Sequence, residues 1–295
     1  MLFSIIIPTF DNYEYLRFTL DSILKNSHYK HQIIIHINGN DKKSQLLVND
    51  YKLQNSKSDT NIGLCSGVNK ASKLAECDYI LYAHDDMYFL PNWDKELYEE
   101  VQRLNTEKFY LSCTQIGPLK VNNTTPNHIY FDAGNDLKSF NEKKLLENYS
   151  NLTFYNLQGS HWAPHLIKTS LWKKIGGFSI EFDPGFGSDP DLNMKLWMEG
   201  VRIFKGINKS RIYHFGSKTT RQNKNVIKNN ANKIFLLKWG ISINFFKKFY
   251  LKTNSVYLGP LKDPNINLKF IFNYSLCKIK YFYVRLLYNK LYSKK

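Results

Sequence analysis

The feature that most constrains the fold is an alternation, through the first hundred residues, of short apolar runs with longer segments of helical spacing. Apolar runs of strand length cover residues 3–7, 32–37 and 79–83. Between the first two runs, one helical face is formed by Tyr15, Leu16, Leu20, Ile23 and Leu24. Strands that alternate with helices are typical of β-α-β units on a mostly parallel sheet. The sequence therefore predicts an α/β fold with helices flanking such a sheet.

The chain beyond these runs continues the pattern and then departs from it. Helical spacing is present at 63–74 and 93–104, and residues 109–116 are typical of another strand. Residues 117–158 are polar, rich in Asn and Lys, and poor in periodicity. We predict that they form a variable insertion over the sheet, followed by a second structured block at 161–217.

The net charge of +16 is distributed unevenly along the chain. Residues 1–200 carry 20 Lys and Arg against 24 Asp and Glu, a net charge of −4. Residues 201–295 carry 21 against the single acid Asp263, a net charge of +20. A basic segment of this kind suits a polyanion such as nucleic acid, anionic lipid headgroups or a phosphorylated acceptor.

Acidic residues nearly vanish after residue 218, so we predict a domain boundary near 220, with a folded domain at 1–220 and a basic, aromatic, helical extension at 221–295. Within the extension, helical spacing from Leu268 onward is formed by Phe272, Leu276, Ile279, Tyr283 and Leu286, flanked by Lys269, Lys278, Lys280 and Arg285. Such a helix can lie in a headgroup layer, with its cations on anionic lipid. The alternative is a helix that packs on the domain and exposes a solvated basic face.

Cysteine usage and the N-terminal segment bear on the compartment. The four cysteines are far apart and form no CxxC pair, which argues against a zinc site or disulfide framework and fits a reducing compartment. The first residues are typical of a buried strand rather than a signal peptide, and no apolar run reaches the ~18 residues of a spanning helix. We therefore expect a cytoplasmic protein that is peripheral on the cytoplasmic face of a membrane.

Polar residues follow three of the apolar runs at the points where the strands should end. They include Thr9, Asn38 and the pair Asp85 and Asp86. Ligands bind open parallel sheets beyond the carboxyl ends of the strands, so these residues should meet in one crevice. Two carboxylates after a strand are suited to hold a hard divalent cation against phosphate oxygens. The alternative is a solvated turn at the end of the strand.

Four collinear segments carry a family resemblance: SIIIPTF at 4–10, NIGLCSGVN at 61–69, YILYAHDDM at 79–87, and GGFSIEFDPGFGSDPDLNMKLWMEG at 176–200. Together they resemble the inverting family 2 glycosyltransferases of the GT-A fold, over roughly residues 1–217. The resemblance implies a Rossmann-like, mostly parallel sheet, with a nucleotide-sugar-binding half at 1–110 and an acceptor half at 111–220. It also implies a nucleotide-sugar donor and a divalent metal, Mn²⁺ or Mg²⁺.

The metal assignments follow from alignment with the Asp-x-Asp motif of that family. His84 takes the first position, Asp85 the middle and Asp86 the last, which makes Asp86 the first metal ligand. His214 stands where family members carry a His that completes the metal shell or contacts the diphosphate. We group His84 and Asp85 with the nucleotide site, since His84 could ligate metal or hydrogen-bond ribose or phosphate. A mixed Asp and His set suits Mn²⁺ somewhat better than Mg²⁺.

The family's acidic pair before a helix maps onto Ser188 and Asp189, with Ser188 replacing the usual Glu. The resemblance makes Asp189 the catalytic base, which must reach the acceptor hydroxyl opposite the leaving group. Asp191 is expected at the start of the same helix, on the acceptor side. The alternative is that both acids only cap the helix.

The resemblance also implies the nucleotide and acceptor contacts. The nucleotide residues are Pro8, Thr9 and Asp11 after the first strand, Asn38 after the second, and Asn61, Gly63 and Asn69 in the loop and helix that follow. Asn38 and Gly39 replace the family's aspartate motif, so the sequence does not specify uridine as the base. Gly63 permits close backbone approach, and the helix start can face phosphate. His161 and Trp162 precede the second block, where the family lines its acceptor pocket, although Trp162 could equally belong to the core.

The function predicted is a single, inverting sugar transfer to a glycan or lipid-linked acceptor, in surface polysaccharide or glycoconjugate synthesis. The processive members of the family carry a Gln-x-x-Arg-Trp element and spanning helices, and the sequence has neither. The runner-up function is binding of nucleic acid or another polyanion by the basic, aromatic extension. The confinement of positive charge to the extension argues against it. A sugar nucleotidyltransferase needs a Gly-rich, basic loop after the first strand, and PTFDNYEYL has no such loop.

Overall fold

A computed structural model describes residues 1–119, 128–216 and 230–292, with side chains as far as residue 287. The strands are β1 (Phe3–Thr9), β2 (Gln32–Asn38), β3 (Gln54–Ser58), β4 (Tyr79–Tyr82), β5 (Met87–Phe89), β6 (Phe109–Gly117), β7 (His128–Tyr130), β8 (Leu157–Gln158), β9 (His165–Lys168) and β10 (Ile203–His214). The helices of the first two ranges are α1 (Tyr13–Asn26), α2 (Lys42–Asp50), α3 (Leu64–Ser72), α4 (Trp93–Arg103), α5 (Glu142–Asn148), α6 (Thr169–Ile175) and α7 (Ser188–Met198). The third range holds α8 (Ala231–Trp239), α9 (Ile243–Phe245), a π-helical turn (Phe246–Leu251) and α10 (Leu268–Tyr292).

These strands form one mixed sheet in the order β3-β2-β1-β4-β9-β6-β10-β5, with β7 beside β6 and β8 beside β10. Strands β3, β2, β1 and β4 pair with one another in that order, and all of these pairs are parallel. The pairs β6–β10 and β6–β7 are also parallel. Strand β9 runs antiparallel to both β4 and β6, and β5 runs antiparallel to β10. The α/β fold class with flanking helices is confirmed, and antiparallel β9 joins its two parallel parts.

Burial of the central strands β1 and β2 explains why their sequences are continuous apolar runs. Every residue of β1 and β2 is buried, because helices cover both faces of this part of the sheet. Helix α1 packs against it through Leu16, Leu20 and Ile23, as its spacing predicts. The predicted strands 3–7, 32–37, 79–83 and 109–116 and the predicted helices 63–74 and 93–104 all form, within two residues at each end.

The segment predicted as a variable insertion has more structure than its polar composition suggests. Strand β7, helix α5 and strand β8 lie within it, among its described residues. Ile129 and Leu145 from this segment join Tyr15, Tyr213 and Phe215 in a second apolar cluster beside the main core. These few apolar side chains are too widely spaced to produce a period, which is why the sequence pattern does not predict the elements.

The basic extension packs on the domain before it. The predicted boundary at 220 lies outside the described residues, and the internal division at 110 falls within β6. From residue 230 onward, Phe235, Phe246, Leu251 and Phe270 belong to the same core cluster as the sheet. Within the described residues, no helix combines the length and apolar composition needed to cross a bilayer.

Candidate active site

The turn after β4 is held against β1 and α1 at the carboxyl edge of the sheet. Thr9 at the end of β1 donates a hydrogen bond from Oγ1 to Asp85 Oδ2, at 2.7 Å. Thr19 of α1 donates to the carbonyl oxygen of Asp85 at 2.9 Å and accepts from the backbone N–H of Met87 at 3.1 Å. Burial, followed by the charge of Asp86, raises the pKa of Asp85 to about 7. The strand ends at Thr9 and Asp85, two of the three that we expected to converge, thus meet at this edge.

His84, Asp86 and His214 form a cluster at this edge. One ligand atom from each lies within 4.8 Å of the others, and no other set of three or more such residues meets this condition in the described chain. His214 Nε2 is 3.1 Å from Asp86 Oδ1, and the rings of His84 and His214 are 5.6 Å apart. His214 arrives there because β10 pairs antiparallel with β5, which places it opposite Met87. A buried carboxylate that faces two imidazoles fits a divalent cation.

The environment of His84 favours metal ligation, one of the two roles we predicted for it. Its ring lies with the two expected metal ligands and 5.4 Å from the ring of Tyr82. Burial lowers the pKa of His84 to about 4, which keeps the imidazole neutral at physiological pH. A neutral imidazole has a lone pair available to a metal.

Asp189 lies in the first turn of α7. Its Oδ1 is shielded from solvent and has no hydrogen-bond partner among the described residues. Burial raises the pKa of Asp189 to about 7. The pKa of Tyr82 is raised first by burial and then by the charge of Asp189, so Asp189 lies near the ring that contacts His84. The expected base and the metal cluster therefore both lie near Tyr82.

The start of α3 is not open to phosphate, contrary to our prediction. Asp183 Oδ1 accepts hydrogen bonds from the backbone N–H groups of Cys65, at 2.8 Å, and Ser66, at 3.4 Å. Ser66 Oγ donates to the other carboxylate oxygen at 2.5 Å. Gly63 has φ +89, and a Cβ there would lie 2.2 Å from Asp183 Oδ1. The glycine thus admits a carboxylate of the chain itself, which occupies the helix N-terminus.

The three predicted asparagine contacts are used to shape the loop around this helix. Asn38 accepts from the backbone N–H of Ile62 at 3.1 Å, and Asn61 accepts from that of Gly63 at 3.0 Å. Asn69 forms a pair of bonds with the backbone of Phe178, of 2.7 and 2.8 Å. The amide groups hold backbone in place, which we did not foresee for a set assigned to the nucleotide.

A cleft remains beside the predicted nucleotide residues that follow β1. Pro8 is buried within that strand, while Asp11 is exposed and has φ +48. Asp11, Tyr13 and Asp41 are among the residues that line an open cleft of about 400 Å³ between the starts of α1 and α2. Its polar walls at the carboxyl edge of the sheet are where a nucleotide would meet the protein.

The three predicted acceptor residues have different environments in the structure. Trp162 belongs to the core, since its indole N–H donates to Cys113 O at 3.0 Å and its exposed fraction is 8%. Asp191 is fully buried and accepts from Trp239 Nε1 at 2.8 Å, with Lys238 Nζ 3.0 Å away. Of the predicted set, His161 alone is partly exposed. Burial, and then the charge of Lys247, lower its pKa to about 3.

Three residues near the site escaped the sequence analysis. Lys238 and Trp239 of α8 hold Asp191, and Lys238 also pairs with Glu181 at 2.8 Å. His165 is fully buried on β9, directly opposite Tyr82, with Nδ1 2.9 Å from the hydroxyl of Tyr110. Its Nε2 has no partner among the described residues. The local sequence gives no signal for these contacts, because they depend on how distant segments pack.

Lys238→Met should lower the free energy of unfolding by about 2 kcal/mol, because it removes the cation that is ion-paired with the buried Asp191 carboxylate and leaves only the hydrogen bond from Trp239 and the weaker influence of Lys195 among the contacts described here. We expect a lower urea midpoint with an unchanged slope. Lys248→Met, at an exposed position of the same extension, is the control and should be nearly neutral. Equal stability of the two variants would show that Asp191 does not depend on Lys238.

The chain is similar to known proteins in both sequence and structure. Residues 4–176 match the profile described as Glycosyl transferase family 2. An uncharacterized glycosyltransferase of Mycoplasma genitalium, MG025, is 33% identical over 110 residues, which cover 35% of this chain and 36% of that protein. The matched region thus spans little more than a third of that relative.

Solved structures share the fold at low sequence identity. TarS 1–349 of S. aureus has a TM-score of 0.53 and 15% identity, covering 79% of this chain and 69% of that one. Its complex with UDP has a TM-score of 0.54 and 15% identity, covering 84% and 72%. GalNAc-T7 with UDP, GalNAc and Mn²⁺ has a TM-score of 0.54 and 13% identity, covering 72% and 44%.

Proposed function

Because the chain belongs to glycosyl transferase family 2, we propose that it moves one sugar, with inversion, from a nucleoside diphosphate donor to a hydroxyl of a glycan or lipid-linked acceptor. The observation that carries this proposal is the arrangement at one edge of the sheet. A buried Asp86 lies with two imidazoles near Tyr82, and Asp189, whose Oδ1 has no hydrogen-bond partner among the described residues, is close enough to Tyr82 to raise its pKa. Surface polysaccharide or glycoconjugate synthesis is the setting we propose.

The donor class rests on the site and on the ligands of similar proteins. The TarS complex contains UDP, and the GalNAc-T7 complex contains UDP with Mn²⁺. In this chain, the cleft beside Asp11 and Asp41 adjoins the strand end that carries Thr9. We assign the nucleoside to this cleft and the diphosphate to the side of Asp86. Asp86 and His214 would hold a divalent cation, which when bound offsets charge on the diphosphate leaving group.

Asp189 takes the acceptor proton in the proposed reaction. A base works best with a pKa near the operating pH, and burial raises the pKa of Asp189 to about 7. Its Oδ1 is shielded in this structure and has no partner among the described residues, and in the proposed reaction a shift of the surrounding groups lets it accept a hydrogen bond from the acceptor hydroxyl. Thr9 holds Asp85 away from this role through its own hydrogen bond. His161, partly exposed, lines the acceptor side.

A donor screen tests the proposed function. The full chain is incubated with Mn²⁺ and individual nucleoside diphosphate sugars, and release of the nucleoside diphosphate is measured with and without chelator. We expect release from at least one donor, and expect chelator to suppress it. Salt-dependent binding to heparin without release from any donor would favour the polyanion-binding function instead.

We propose that the extension brings the enzyme to the cytoplasmic face of an anionic membrane. The described side chains of α10 that are buried are Phe270 and Cys277 alone. Its exposed apolar side chains are Leu268, Ile271, Phe272, Tyr274, Leu276, Ile279, Phe282, Tyr283, Leu286 and Leu287. Lys269, Lys280 and Arg285 are exposed among them, whereas Lys278 is half-buried beside the Tyr274 ring. With one acid in 95 residues, this surface repels a second copy of itself and attracts anionic headgroups.

Replacing Lys269, Lys280 and Arg285 together by Gln should lower partition onto anionic vesicles on the order of 10²-fold at low salt, at about 1 kcal/mol for each cation. Vesicle sedimentation measures this, with neutral vesicles as the reference. Gln at Lys30, Lys52 and Lys73, exposed positions in the acidic part of the chain, is the matched control and should change little. Unchanged vesicle binding with a lower melting temperature in the first variant would make α10 part of the fold rather than a membrane surface.

A further inference from the structure

The metal cluster contains one carboxylate and two imidazoles, a composition with consequences for which ion it takes. We infer that His84 is a third protein ligand and that the site selects Mn²⁺, Co²⁺ or Zn²⁺ over Mg²⁺, an inference that rests on the proposed metal-assisted transfer. The ligand atoms of His84, Asp86 and His214 all lie within 4.8 Å of one another. Asp86 is 2% exposed, so its carboxylate has little contact with water.

The neighbouring carboxylate does not add a second acidic ligand. Asp85 Oδ2 accepts the hydroxyl proton of Thr9 at 2.7 Å, and Asp85 is not a member of the cluster. Its backbone carbonyl is also held, by Thr19. The turn therefore directs Asp86 and His84 toward His214 and directs Asp85 toward β1. Two carboxylates follow β4, but the cluster contains one of them.

The outer contacts of His214 fix which of its nitrogens faces the cluster. Its Nδ1 is 3.4 Å from Gln115 Oε1, and Gln115 donates its amide N–H to Ala163 O at 2.8 Å. That second bond orients the Gln115 oxygen toward His214, where it can accept a proton from Nδ1. With the proton on Nδ1, the lone pair of Nε2 would be available to a cation bound between His214, Asp86 and His84. A hydrogen bond on the far ring nitrogen is the usual support of a metal-binding histidine.

The selectivity follows from the preferences of the ions. Mg²⁺ favours oxygen ligands and keeps its waters, whereas imidazole nitrogen suits the later divalent metals. Mn²⁺ accepts mixed oxygen and nitrogen sets. An aspartate at position 84 would restore a second carboxylate and favour Mg²⁺. His84 is thus the residue that determines the choice of ion.

Manganese binding tests the role of His84 and the selectivity of the site without a measurement of enzyme activity. The full chain is titrated with MnCl₂ alone, and pulsed electron paramagnetic resonance counts imidazole nitrogens coupled to the bound ion. Magnesium competition gives the ratio of the two affinities. We expect two nitrogens in the wild type and one in His84→Asp, with the Mn²⁺ over Mg²⁺ affinity ratio lowered at least about tenfold. His28→Asp, at an exposed histidine, is the matched control and should leave both readouts unchanged.

Two nitrogens in the wild type that fall to one in His84→Asp would support the assignment. One nitrogen in both proteins, equal affinity of the wild type for the two ions, or no bound Mn²⁺ at millimolar concentration would overturn it. Donor turnover that runs equally well with Mg²⁺ would also overturn it while leaving the proposed sugar transfer intact. Absence of any donor turnover, with two nitrogens on bound Mn²⁺, would contradict the proposed sugar transfer and support the assignment of His84 as a metal ligand.

Discussion

Asp189→Asn should lower the rate of sugar transfer by ~10²–10⁴-fold, the contribution expected of a positioned general base. The amide keeps the shape of the side chain but cannot take a proton. Because Asp189 is not a member of the metal cluster, binding of Mn²⁺ and of donor nucleotide should persist. Asp50→Asn, at an exposed acid, is the matched control and should keep full activity.

The pH profile separates a base from a residue that only shapes the site. Burial raises the pKa of Asp189 to about 7, so the carboxylate is protonated and inactive below that pH and ionised above it. The rate should therefore rise with pH through about 7 and then level off. Residual activity of Asp189→Asn should lack this rise. Loss of nucleotide binding in proportion to activity would instead assign Asp189 to the donor site.

Asp86→Ala should lower the rate by roughly 10³-fold or more, since a bound metal contributes several kcal/mol of charge stabilisation in reactions of this kind. It removes the sole carboxylate of the cluster and the bond to His214. The fold should persist, as judged by circular dichroism, because the β4 turn is also held by Thr9 and Thr19. Metal binding should be lost with activity, in contrast to the Asp189 variant.

Two outcomes would contradict this second prediction. One is full activity of Asp86→Ala, and the other is full activity of the wild type in excess chelator. Either would mean that positive charge from side chains alone offsets the diphosphate. Asp85→Asn offers a neighbouring comparison, because its oxygen bonds Thr9 rather than the cluster. We expect it to keep metal binding.

The sheet and the convergence of its strand ends could be predicted because local pattern decides them. β1, β2 and β4 are apolar runs that end in polar residues, and parallel pairing brings those ends to one edge. Strand β3, with the sequence QNSKS and exposed or half-buried residues throughout, has no apolar pattern to detect. Its place is set by pairing with β2 alone.

The sequence could suggest site residues where a family motif carries the chemistry, and it missed contacts that depend on packing. Asp86 and His214 are 128 residues apart, and only the family resemblance joined them before the structure did. The start of α3 read as a phosphate site, but Asp183 occupies it from 117 residues away. Asp191 read as an acceptor residue, but α8 supplies Trp239 to it. Contacts between segments that are distant in the chain produce no local periodicity of apolar residues, so they could not be predicted from the sequence pattern.

Product stereochemistry tests the central claim, that one carboxylate drives a single displacement at this edge of the sheet. Proton NMR of a reaction with an active donor reports both the transfer and the anomeric configuration of the new linkage. A single carboxylate, Asp189, facing an acceptor hydroxyl across from a metal-held diphosphate predicts inversion of the donor's configuration. Retention would require two displacements and would contradict the assignment of Asp189 as base.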